Sequence, residues 1–271
     1  MNMNPDPESG KTDGVTAPGW RKLALESRAP FEFAASLAAA PMLLRSPRGD
    51  GHPVVVIPGF MASDFSTRPL RRLLKVLGHD VHAWDQGRNM GPRAGVLERG
   101  IERIRALHSK QGRKVSLVGW SLGGVYAREL AKRAPDVVRC VVTLGSPFTG
   151  PSRATNAWRV FDLVNRGRPY DNVPRDALRE PPPVPTTSIY SRSDGIVAWQ
   201  CSIEQLGPLA ENIEVEGSHT GLGVNPLVLH ALADRLAQPD GQWRPFQRTG
   251  LRRFVFPDPH RQGPAGGSSP G

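Results

Sequence analysis

Residues 115–124 read Val-Ser-Leu-Val-Gly-Trp-Ser-Leu-Gly-Gly, and this run decides the reading of the chain. It sets Ser121 between Gly119 and Gly123. The apolar residues ahead of it predict a buried strand, and residues 122–134 behind it predict a helix. A G-x-S-x-G at a strand-to-helix junction needs a strained turn that lifts the serine hydroxyl clear of the sheet edge. Such a turn brings the two backbones so close that the flanking positions have no room for a Cβ. The new helix also aims its first N–H groups at the same spot, where an oxyanion could be held.

Outward from this run, strand and helix patterns alternate. Residues 54–57 and 137–144 are continuous apolar runs, as expected of parallel strands buried on both faces. Residues 80–84, 186–191 and 213–216 predict three further strands. Leu70, Leu73, Leu74 and Leu77 are spaced as one helix face, ended by Gly78. Leu97, Ile101, Ile104 and Leu107 mark a second helix, and residues 226–237 a third. Residues 20–44 hold one or two helices with an alanine-rich face, and the apolar segment 31–44 is read as a helix that packs on the domain or lies on a membrane surface. The alternation implies right-handed βαβ units and a mostly parallel sheet with helices on both faces. One domain is expected over residues 20–240. Residues 1–19 and the Pro/Gly/Arg-rich tail 241–271 frame it, with disorder expected in 1–19 and 257–271. Residues 146–185 interrupt the alternation and carry Trp158, Phe161, Leu163, Tyr170 and a proline-rich end. An insertion of that length is read as a small cap.

The 271 residues carry a formal net charge of +10, with 38% hydrophobic and 22% charged residues. That composition fits a soluble globular chain with a sizeable core. The cations are scattered in pairs such as Arg71/Arg72 and Lys132/Arg133, with no nucleic-acid-binding motif beside them, so no nucleic-acid partner is expected. A weak peripheral contact with anionic membrane surfaces fits the charge. Two cysteines, Cys140 and Cys201, have no metal-ligand spacing and form no disulfide framework. Cys140 reads as core. No signal peptide or membrane span is recognised, which makes cytoplasmic the default location.

A nucleophilic serine needs a base, an acid to orient it and donors for the oxyanion. His219, in Gly-Ser-His-Thr-Gly after the last predicted strand, is the candidate base. Asp194, in Ser-Arg-Ser-Asp-Gly after an earlier strand, is the candidate acid, ahead of Asp171 and Asp234. His230 sits in an apolar helix and reads as a core histidine. The oxyanion donors are the N–H of Leu122 and that of Phe60, with Met61 as fallback, in the loop that follows the 54–57 strand. No metal or organic cofactor is called for.

The order Ser121, Asp194, His219 is that of α/β-hydrolases. With Pro58-Gly-Phe, with the run 143–150 (Thr-Leu-Gly-Ser-Pro-Phe-Thr-Gly) and with the two loops just quoted, the chain resembles the α/β-hydrolase superfamily from about residue 53 to 237. The resemblance implies an α/β-hydrolase fold, a Ser-His-Asp triad and cleavage of carboxylic esters of the lipase/esterase kind, acting on small-molecule or lipid-like esters. An acyltransferase with the same triad and a non-catalytic binding protein of the same fold are the alternatives. One departure stands out: Pro58 replaces the histidine that many members carry before the Gly-Phe, and that residue commonly supports the oxyanion loop.

Overall fold

Six strands make one sheet among the described residues, 14–166 and 175–261, of this computed structural model. They are β1 (Pro53–Ile57), β2 (Asp80–His82), β3 (Val115–Trp120), β4 (Val138–Leu144), β5 (Thr186–Tyr190) and β6 (Ala210–Glu214). Their order is β2-β1-β3-β4-β5-β6, and every neighbouring pair is parallel. Parallel neighbours need long crossovers. Helices α1 (Trp20–Ala24), α2 (Ala29–Ala38) and α3 (Ala40–Leu43) precede the sheet. Then come α4 (Arg68–Val76), α5 (Val96–Gln111), α6 (Leu122–Arg133), α7 (Trp158–Asn165), α8 (Arg175–Arg179), α9 (Pro226–Leu236) and α10 (Arg252–Val255).

Alternate strand residues point to opposite faces, and each face has its own core. Val54, Val56, Val118 and Val142 pack with Leu70 and Leu74 of α4 and Leu232 of α9. Val55, Ile57, Leu117 and Val141 pack with Ile104 of α5 and Leu130 of α6. Burial on both faces is why these strands read as unbroken apolar runs.

Several boundaries differ from the sequence reading for identifiable reasons. Strand β2 stops at His82, because the Asp64 carboxylate takes the N–H groups of Trp84 and Asp85 at 2.9 and 3.1 Å. Strand β6 starts at Ala210, earlier than expected, and includes polar Glu211 and Asn212. Glu211 accepts hydrogen bonds from Thr187 Oγ1, Arg235 and the N–H of Phe246, and Asn212 pairs with the backbone of Glu204. Phe246 and Phe256, in the Pro/Gly/Arg-rich stretch, are buried in the α9 core. Pro18, within a stretch expected to be disordered, accepts a hydrogen bond from Asn156 Nδ2 at 3.0 Å. Residues 1–13 and 262–271, with Pro169, Tyr170, Asp171 and Pro174 of the expected cap, lie outside the described residues.

The reversal of strand order falls between β1, which leads outward to β2, and β3, which leads the other way to β4. A crevice opens at the carboxyl ends of the strands at such a switch point. Ile57 is level with Gly119 across it, so the loop after β1 stands beside Ser121.

Candidate active site

Ser121 occupies the turn between β3 and α6 with φ 53° and ψ −124°. A non-glycine residue at positive φ is strained, and the surrounding contacts hold it there. Its N–H donates to the Leu144 carbonyl at 2.8 Å, and its own carbonyl accepts from the N–H of Gly124 at 2.9 Å. A Cβ on Gly119 would collide with the backbone of Gly123 and Gly124, and one on Gly123 with the Ile57 carbonyl. The glycines of the motif are therefore required by the crossing of β3, α6 and the end of β1.

Asp194 follows β5 and His219 follows β6, so both stand at the same carboxyl edge as Ser121. The Asp194 Oδ2 and His219 Nδ1 atoms are 2.6 Å apart. The other carboxylate oxygen accepts from the N–H groups of Ile196 and Val197 at 2.8 and 2.7 Å. With the carboxylate accepting, Nδ1 carries the proton and Nε2 is left as the basic nitrogen. Burial by itself would lower the His219 pKa. The charge and hydrogen bond of Asp194, helped by Glu26, outweigh it and raise the pKa above the ordinary histidine value. Gly145 clears the space: a Cβ there would stand 3.2 Å from both Asp194 Oδ2 and His219 Nδ1. No hydrogen bond joins His219 to Ser121 among the described residues.

The loop after β1 carries the expected oxyanion donors. Among the described residues, the N–H groups of Phe60 and Leu122 make no hydrogen bond. That of Met61 is engaged by the Asn89 carbonyl at 2.6 Å. Asn89 is buried and organises this loop. Its Nδ2 donates to the Pro58 carbonyl at 2.8 Å, its N–H to the Ala62 carbonyl at 2.9 Å, and its Oδ1 accepts from the N–H of Gly91 at 3.2 Å. Support for the loop thus comes from the 85–95 turn, at a position where the sequence showed only turn-forming residues.

A second group that sequence reasoning missed is Glu26, in the 3₁₀ turn Leu25–Arg28. Its Oε1 accepts from the N–H groups of Gly195 and His219 at 2.8 and 2.9 Å. Its Oε2 accepts from the N–H and Oγ1 of Thr220 at 2.9 and 2.7 Å. One carboxylate so ties together the loops that carry Asp194 and His219. Burial would raise the Glu26 pKa, but the N–H and hydroxyl donors outweigh it and hold the pKa below the usual glutamate value. Glu32 of α2 takes the N–H of Ser218 at 2.7 Å. Trp120 Nε1 donates to the His219 carbonyl at 3.1 Å. Only Trp120 had a sequence signal, its place beside Ser121.

Ser121, Leu122 and Phe60 line a cavity of about 620 Å³, walled chiefly by apolar and aromatic groups, including Tyr126, Phe148, Trp158 and Phe161. The α7 segment between β4 and β5 forms one wall, with the Phe161 and Phe60 rings 5.3 Å apart. Leu178 of α8 lines it too. Arg128 of α6 pins α8 in place. It pairs with buried Glu204, stacks on Phe148 at 3.9 Å and donates to the carbonyls of Leu178, Arg179 and Glu180.

Asp50, His52 and Ser116 form a second Asp–His–Ser chain at the opposite end of the sheet. His52 Nδ1 is 2.6 Å from Asp50 Oδ1 and Nε2 is 2.8 Å from Ser116 Oγ. His52 and Ser116 are fully buried and border no cavity that holds Ser121. Asp234 pairs with Arg235 and Arg252, away from the site. His230 meets Ser46 through Nδ1 at 3.1 Å. Cys140 is half-buried, its thiol 3.2 Å from Ser116 Oγ. No group of His, Cys, Asp and Glu among the described residues could hold a metal ion. No helix among them is long and apolar enough to cross a membrane.

A model of the Alpha/beta hydrolase family matches residues 54–265, most of the chain. No curated protein matches it. Among solved structures it is similar to lipase B of Aspergillus fumigatus, with 20% identity and a TM-score of 0.52 over 71% of this chain and 54% of that one. The chain thus spans about half the length of that lipase. It is also similar to a pyrethroid hydrolase, PytH, with 15% identity and a TM-score of 0.50, over 71% of this chain and 100% of that one. At these identities the likeness is one of fold.

Proposed function

The chain belongs to the alpha/beta hydrolase family, and from that premise we propose that it is a serine hydrolase of carboxylic esters. The observation that carries the reading is the placing of Ser121 and its N–H neighbours on one cavity wall at the sheet edge that also carries Asp194 and His219. Ser121 stands at positive φ, the N–H groups of Phe60 and Leu122 beside it have no partner among the described residues, and the Asp194–His219 pair shares its sheet edge. Ser121 Oγ attacks the ester carbonyl carbon while His219 Nε2 takes its proton. The carbonyl oxygen becomes an anion held by the N–H groups of Leu122 and Phe60. Collapse of the intermediate breaks the bond to the alcohol oxygen, which receives the proton from His219. Water then repeats the sequence on the acyl-serine and releases the acid. Asp194 keeps the proton on Nδ1 and stabilises the imidazolium. Asn89 is a positioning residue for the oxyanion loop, which carries Pro58 where related loops have a histidine. The described part of the 146–185 segment acts as a cap, and its aromatic and apolar groups favour apolar acyl or aromatic esters over small charged ones.

The test is a series of p-nitrophenyl esters of increasing acyl length, with Ser121→Ala as control. Hydrolysis should be lost by roughly 10⁴–10⁶-fold in the variant. A fluorophosphonate probe should label the native chain at Ser121. Full activity in Ser121→Ala, or an unlabelled and inactive native chain, would remove the assignment.

A further inference from the structure

Helix α2 is amphipathic in the reverse of the usual sense. Toward the body of the protein it turns Glu32, held by the N–H of Ser218, and buried Ser36. Toward solvent it turns Phe31, Phe33 and Leu37, with Phe31 76% and Leu37 62% exposed. Met42 and Leu44, after this helix, and Trp20, before it and 75% exposed, also face solvent. Surface helices ordinarily hide their apolar stripe, and contiguous apolar exposure marks a contact surface.

The charges identify the partner. Between Trp20 and Arg48 the carboxylates are Glu26 and Glu32 alone, and both are turned inward onto backbone N–H groups. Arg21, Arg45 and Arg48 are exposed and form no ion pair among the described residues. The outward face is therefore apolar in the middle and purely cationic at its ends. A second copy of the chain is a poor match, because a two-fold contact would set this face on itself with no carboxylate to meet the arginines. A lipid surface with anionic headgroups meets both demands: acyl chains for the Phe–Leu row and phosphates or carboxylates for the flanking arginines. We propose that the outer face of residues 20–48 docks in the plane of an anionic bilayer surface. This stands apart from the ester chemistry and does not depend on it.

Sedimentation of the full chain with vesicles tests it, using phosphatidylcholine alone or with roughly 30% phosphatidylserine. Binding is expected on the phosphatidylserine vesicles, weakening as salt rises. Phe31→Ser/Leu37→Ser and Arg21→Glu/Arg45→Glu should each weaken it about ten-fold or more. All four side chains are exposed, so thermal melts should match those of the native chain. The proposal is overturned by absence of vesicle binding or by equal binding to both vesicle types. It is also overturned by a concentration-dependent dimer that Phe31→Ser/Leu37→Ser abolishes, which would assign the face to a second copy.

Discussion

Replacing Glu26 by alanine removes one acceptor that serves two loops. The carboxylate receives the N–H groups of Gly195, His219 and Thr220 and the Thr220 hydroxyl, all at 2.7–2.9 Å. A hydrogen bond to an ionised group contributes about 1.5–3 kcal/mol when buried. Glu26 is half-buried, so water replaces part of the loss, and the whole cluster should contribute about 2–4 kcal/mol. For a chain of this size that lowers Tm by roughly 5–15 °C. The kinetic effect should be distinct. His219 would lose the tether on its own N–H, and a small misplacement of a base lowers kcat by up to about 10²-fold, with KM little changed.

Glu26→Gln sharpens the test, since its amide turns N–H groups toward N–H groups. The pH dependence follows from the lowered Glu26 pKa. A carboxyl depressed in the folded state contributes stability that is present above its ordinary value of 4.5 and lost as pH falls through the folded value. The gap in Tm between the native chain and Glu26→Gln should therefore be largest near neutral pH and shrink in acid below 4.5. Thermal melts across pH and ester hydrolysis by both variants check this. Native Tm and kcat in Glu26→Ala would refute the strap.

Asn89→Ala should leave the buried Pro58 carbonyl without its donor, lower stability by about 1–3 kcal/mol and reduce kcat more than it raises KM, as steady-state kinetics would record. Arg128→Ala should destabilise by about 3–5 kcal/mol in denaturant unfolding, because Glu204 is left charged and buried. Adding Glu204→Leu should recover part of that. His79 is buried with neither ring nitrogen hydrogen-bonded among the described residues, and burial, with the neighbouring His52, brings its pKa down to about 4. The unfolded chain binds its proton first, so the native fold loses stability as pH falls from 6.5 toward about 4. Melts of His79→Phe should lack that contribution.

The parts legible in the sequence were those set by local rules. Two-sided burial made β1 and β4 unbroken apolar runs, and Leu70 and Leu74 kept helical spacing because one face of α4 meets the sheet. The glycines around Ser121 were legible because backbone crossing excludes a Cβ. What stayed hidden depends on partners far along the chain. Glu211 and Asn212 disguised the start of β6, since their polar groups are satisfied by Arg235, Phe246 and Glu204. Glu26 lies 193 residues from His219, and Asn89 lies 31 from Pro58. Nothing in the neighbouring residues of either announces the contact. The engagement of the Met61 N–H, which sets it apart from that of Phe60, likewise comes from Asn89, whose carbonyl accepts it.

Two Asp–His pairs at opposite ends of one sheet show why residue type and spacing alone do not make a site. Asp50 and Asp194 both stand 2.6 Å from a histidine Nδ1. Asp50 is also bound by Arg113 and Arg139, at 2.5 and 3.0 Å. For His52 the largest influence is burial, which lowers its pKa; Asp50 opposes this, but the two arginines add to it, and the net shift is downward. Asp194 has backbone N–H groups on its other oxygen and pairs with no arginine among the described residues, so no cation there opposes its effect on His219. There the same contest between burial and carboxylate ends in a raised pKa. A base with a raised pKa accepts a proton from an attacking hydroxyl more readily. His52 instead directs Nε2 at Ser116, locked inside the core at 0% exposure. The cations around its carboxylate, and the lack of a cavity at its serine among the described residues, separate the His52 chain from the arrangement proposed to do chemistry.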